Sequence, residues 1–77
     1  MRKRWNYVPI TAVKPGQQFV HYSILYVRAT EQEEKKHPAQ ELAKLRGREL
    51  IFAYTVEGER TPVSFVPDLK VNVERGR

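Results

Sequence analysis

The chain has 77 residues, room for one small domain that hides only about 60% of the surface its unfolded form exposes. It contains no cysteine, which excludes disulfides, thiol nucleophiles, thiolate zinc sites and iron–sulfur clusters. The formal charge is +5, and it is unevenly placed: residues 1–14 carry Arg2, Lys3, Arg4 and Lys14 with no acid, 75–77 carry Arg75 and Arg77, and 15–74 hold eight basic against nine acidic residues.

In chain order, the first expected strand is 5–13, with Trp5, Tyr7, Val8, Ile10 and Val13 among polar neighbours. Pro9 has no N–H, so this strand is an edge or contains a break. Lys14-Pro15-Gly16-Gln17 has type II turn chemistry, because proline presets φ at the second position and glycine accepts a positive φ at the third. Residues 19–28 carry the strongest pattern. Val20, Tyr22, Ile24 and Tyr26 alternate with Phe19, His21, Ser23, Leu25 and Val27. Both faces are largely apolar, as in a central strand covered twice or one curled within a small barrel.

Residues 30–37 are polar and are expected as a solvated loop or a frayed lead into a helix. Pro38 suits a first helical turn, Ala39, Leu42, Ala43 and Arg46 recur at helical spacing, and Gly47 is a natural stop. These predict one short helix of about three turns. A third strand covers 49–56, with Leu50, Phe52, Tyr54 and Val56 on one face and Ile51, Ala53 and Thr55 on the other. Glu57-Gly58-Glu59-Arg60 is a polar reversal. A fourth strand, 63–66, lies between Pro62 and Pro67. Leu69, Val71 and Val73 alternate with Lys70, Asn72 and Glu74 as a half-exposed fifth strand.

The expected fold is therefore α+β, mostly β, in the order β-β-α-β-β-β. That list resembles a small five-stranded curled sheet or barrel of the OB or SH3-like kind. A β-grasp sheet, with its helix crossing one face after the first hairpin, is the alternative. The short helix and the two-faced second strand favour the barrel. Residues 1–77 are read as a single domain with basic, mobile ends at about 1–4 and 75–77.

Catalysis finds little support. His21 and Ser23 would share a strand face, but i and i+2 neighbours stand about 7 Å apart, beyond a direct hydrogen bond. Asp68 follows Pro67 in a turn. No metal site is expected, since the histidines, His21 and His37, stand alone and zinc needs three or four protein ligands. No glycine-rich phosphate loop occurs and no cofactor is implied. No apolar run approaches the ~20 residues that span a bilayer. Asn6, Pro9 and Lys14 break any signal-peptide core behind Met1. The expectation is a cytoplasmic protein with no membrane partner.

Nucleic-acid binding is the favoured reading. Arg2, Lys3 and Arg4 precede Trp5 and Tyr7: cations neutralise phosphates and release counterions, and aromatic faces stack unpaired bases. Lys44, Arg46 and Arg48 form a second basic cluster at the helix end, weakened because i and i+2 point apart on a helix. Tyr22, Tyr26 and Tyr54 are either a stacking platform or core. The expected function is a non-enzymatic module for single-stranded or structured RNA or DNA. The alternative is a protein-interaction module, a small subunit, regulator or inhibitor. A homodimer fits that alternative because a thin domain leaves apolar area uncovered, and the proline-free fifth strand could pair across a sheet edge.

Overall fold

The computed structural model describes residues 5–47 and 49–74. β1 (Trp5–Pro9) runs into a 3₁₀ turn (Ile10–Ala12), followed by β2 (Gln18–His21) and β3 (Ile24–Arg28). Then come α1 (Glu31–Lys35), α2 (Ala39–Arg46), β4 (Ile51–Thr55), β5 (Pro62–Phe65) and β6 (Lys70–Glu74). The fold is α+β, mostly β, with six antiparallel strands in one sheet, ordered β1-β6-β2-β3-β4-β5.

Two expectations need correction. The sheet has six strands, not five, because 19–28 is not one strand. Tyr22 and Ser23 both take positive φ, 48° and 64°, as a two-residue type I′ hairpin turn requires. The residues usual in such a turn are Asn-Gly or Asp-Gly, so the break left no mark in the pattern. The sheet also stays open and forms no closed barrel among the described residues. β1 and β5 are its unpaired edges, and Pro9 and Pro62 lie on them, where a missing N–H removes a bond that closure would need. The fifth expected strand, now β6, is not an edge: it is paired to β1 on one side and β2 on the other.

Other local expectations hold. Gly16 has φ 82°, and the Gln17 amide donates to the Lys14 carbonyl at 2.9 Å. Gly47 closes α2 at φ 61°, conformational space that glycine enters without strain. Residues 30–37, expected as a solvated loop or a frayed lead into a helix, hold the short helix α1. Thr30 caps α1 in a reciprocal box: the Glu33 amide donates to Thr30 Oγ1 at 3.3 Å, and the Thr30 amide donates to Glu33 Oε1 at 3.0 Å.

The core is split between the two faces of the sheet. On one face Phe19 stacks on Tyr26 with ring centroids 5.4 Å apart, and both meet the edge of Phe65. Ile10, Val13, Ile51, Ala53, Val71 and Val73 complete this cluster. On the other face Phe52 packs with Ala29 and Ala43, flanked by Ala39, Leu50 and Tyr54. α2 thus leans on β4 rather than crossing the sheet, and the same outward face is left uncovered at β1, β6 and β2.

Candidate nucleic-acid interface

Strand alternation sends Trp5 and Tyr7 to the same side of β1, and both are exposed, at 46% and 67%. Tyr7 stands opposite Asn72 on β6, Asn72 opposite Val20 on β2, and Val20 opposite Leu25 on β3. These four side chains make one transverse row on the uncovered face. Lys70 places its Nζ 5.9 Å from the Tyr7 ring centroid, within cation–π range. Trp5, Val20, Ser23 and Asn72 line a cleft of about 360 Å³ beside that row. Trp5 stands opposite Glu74, so a carboxylate borders the same corner.

Of the other expected site residues, Arg2, Lys3, Arg4 and Arg48 lie outside the described residues. Lys44 and Arg46 are exposed on the last turn of α2, but they border different grooves. Lys44 faces one with Arg28, Glu34 and Glu49, and Arg46 faces another with Leu42, Leu50 and Phe65. β4, which carries α2, lies four strand spacings from β1, about 19 Å along the sheet. The two basic–aromatic regions are therefore toward opposite ends of one face of the sheet and are not one patch.

The three tyrosines separate. Tyr26 is core, Tyr22 is 86% exposed in the hairpin turn, and Tyr54 is half-buried with the Arg60 guanidinium carbon 4.2 Å from its ring centroid. Arg60 also forms an ion pair with Glu33. The amide of Thr30, and then this guanidinium, hold the Glu33 carboxyl below the usual carboxylate range. His21 and Ser23 do not share a strand face, because the hairpin turns between them: His21 meets Tyr22 and Phe65 edge-on. No cluster of three or more potential metal ligands occurs among the described residues, and no helix among them is long and apolar enough to cross a membrane.

Sequence reasoning missed Asn72, Val20 and Ser23 as neighbours of Trp5. They sit on β6, β2 and the turn after it, and no local signal joins segments so distant along the chain. Compared with protein-family models, with curated proteins and with solved structures, the chain matches none.

Proposed function

We propose that the protein is a small non-enzymatic module that binds nucleic acid with unpaired bases through the open face of β1 and β6. The observation that carries this reading is the pairing of Trp5 with Glu74. Arg2, Lys3 and Arg4 directly precede Trp5, and Arg75 and Arg77 directly follow Glu74. Five cations therefore lie within three chain positions of one sheet corner, where an exposed tryptophan and tyrosine also stand. Arg2, Lys3 and Arg4 contact phosphate in this reading, and Trp5 and Tyr7 stack bases, a contact worth ~1–3 kcal/mol per base. Lys44, Arg46 and Arg48 add a separate contact on the α2 side.

The test is titration of a fluorescent single-stranded oligonucleotide at about 50 and about 200 mM salt, where phosphate contacts predict a steep loss of affinity. Deleting residues 1–4 removes three cations and should flatten the log–log salt slope by about 2. Absence of binding at the lower salt overturns the reading.

A second reading, a protein-interaction module, rests on a different surface. Leu45 is 85% exposed, and Leu42 and Val66 border an apolar groove with Leu50 and Phe65. Uncovered apolar area of this kind favours association. Light scattering separates the two readings: a monomer that binds oligonucleotide supports the first. A dimer that Leu45→Lys dissociates, without oligonucleotide affinity, supports the second.

A further inference from the structure

Resting on the nucleic-acid reading, we infer that the cleft between Trp5 and Ser23 takes one unpaired adenine base, stacked on Trp5, whose edge is read by the side-chain amide of Asn72. Trp5 forms one wall and Ser23 the opposite rim, with Val20 and Asn72 from neighbouring strands as the floor. At about 360 Å³ the cleft is open and shallow, with room for one base lying against Trp5 and exposed on its outer side. Its lining is evenly divided: an aromatic face and a β-branched floor supply apolar contact, and one hydroxyl and one amide supply polar contact. An asparagine amide offers a donor and an acceptor side by side, which matches the N6 amine and N7 of adenine.

The sheet fixes where this amide stands. Asn72 is half-buried on β6, a strand paired on both sides, directly between Tyr7 and Val20. Its position is thus set by the ladder rather than by a loop. The Tyr7 side of the row leaves room for the next nucleotide, because Trp5 and Tyr7 stand two strand positions apart, about 6.8 Å. That is twice the ~3.4 Å rise of stacked bases in a duplex strand, so the two rings suit an extended single strand and do not match consecutive stacked bases. An anionic occupant fits the sequence around the cleft: Arg2, Lys3, Arg4, Arg75 and Arg77 each lie within three chain positions of Trp5 or Glu74, and Lys70 stands beside Tyr7.

The test measures affinities of the full chain for oligo-dA, oligo-dT, oligo-dC and an abasic strand of equal length, and for adenosine monophosphate. The expected result is tightest binding to oligo-dA and weakest to the abasic strand. Asn72→Thr, which suits a strand, should erase about tenfold of the preference for adenine and leave the salt slope unchanged. Asn72→Asp, which replaces the amide by an acceptor-only group, should also lose the preference. Circular dichroism confirms that each variant is folded. Equal affinity for all strands including the abasic one overturns the base cleft while leaving phosphate-driven binding standing. No binding to any strand overturns both. Adenosine monophosphate bound as tightly as oligo-dA overturns the polymer as occupant, and a preference that survives both variants overturns the role of Asn72.

Discussion

His37 donates from Nε2 to the carbonyl of Ala53, 3.2 Å away, while its Nδ1 accepts the amide of Ala39 at 3.1 Å. The ring is 4% exposed and packs on Phe52 and Tyr54, so one side chain ties the start of α2 to β4. His37→Leu keeps the apolar bulk but leaves the Ala39 amide without its partner, while the Ala53 carbonyl keeps its place in the β4–β5 ladder opposite Val63. An orphaned buried polar group costs about 1–3 kcal/mol, so urea unfolding at pH 7 should show a loss of about that size. An unchanged midpoint would mean that the imidazole contributes nothing net.

The hairpin turn is a place where the sequence can be improved. Tyr22 and Ser23 both occupy positive φ, a region that L residues with side chains enter at a cost of about 1–2 kcal/mol. Tyr22→Asn with Ser23→Gly supplies the residues that a type I′ turn favours. The double variant should gain about 1 kcal/mol and melt about 4–8 °C higher. A lower melting temperature would show that the Tyr22–His21 edge contact outweighs the backbone strain.

The Glu33 carboxyl is held low by the Thr30 amide and the Arg60 guanidinium. A carboxyl lowered by folding adds stability that is complete above its unfolded value and is lost as pH falls through its folded one. Glu33→Gln removes the titrating group while its side-chain oxygen can still accept from Thr30. The stability gap between wild type and variant should therefore be largest at neutral pH and shrink below about pH 4. Added salt should narrow it too, since the pair is exposed. A gap constant from pH 3 to pH 7 would rule the linkage out.

Trp5 and Phe19 should respond in opposite ways to truncation. Trp5 is half exposed on an edge strand, so Trp5→Ala should change stability by at most about 1 kcal/mol while weakening oligonucleotide binding about 5–150-fold. Phe19 is fully buried between Tyr26 and Phe65. Phe19→Ala should cost about 3–5 kcal/mol, a large share of the ~5–15 kcal/mol available to a small domain. Melting curves paired with fluorescence titrations separate the two. Equal loss of stability in both variants would show that Trp5 is a core residue.

Wherever a local rule has one answer, the sequence was legible. Pro15-Gly16 makes its turn, Gly47 ends its helix, and 51–55 is buried on both faces as its doubled pattern implied. Thr30-x-x-Glu33 has the spacing of a helix-start box, but the segment behind it has no apolar face to mark a helix. The hairpin within 19–28 was not legible, since alternation continues through Tyr22 and Ser23 with no turn residue to interrupt it.

By itself, then, the sequence determined a mostly β domain with one apolar-faced helix and a basic, aromatic lead into its first strand, because periodicity and turn chemistry act over a few residues. Only the tertiary structure decided that β6 inserts between β1 and β2. That insertion sets Glu74 opposite Trp5 at the corner of an open aromatic face. Strand pairing across some 70 residues is settled by which faces can be buried together, and no local pattern encodes it.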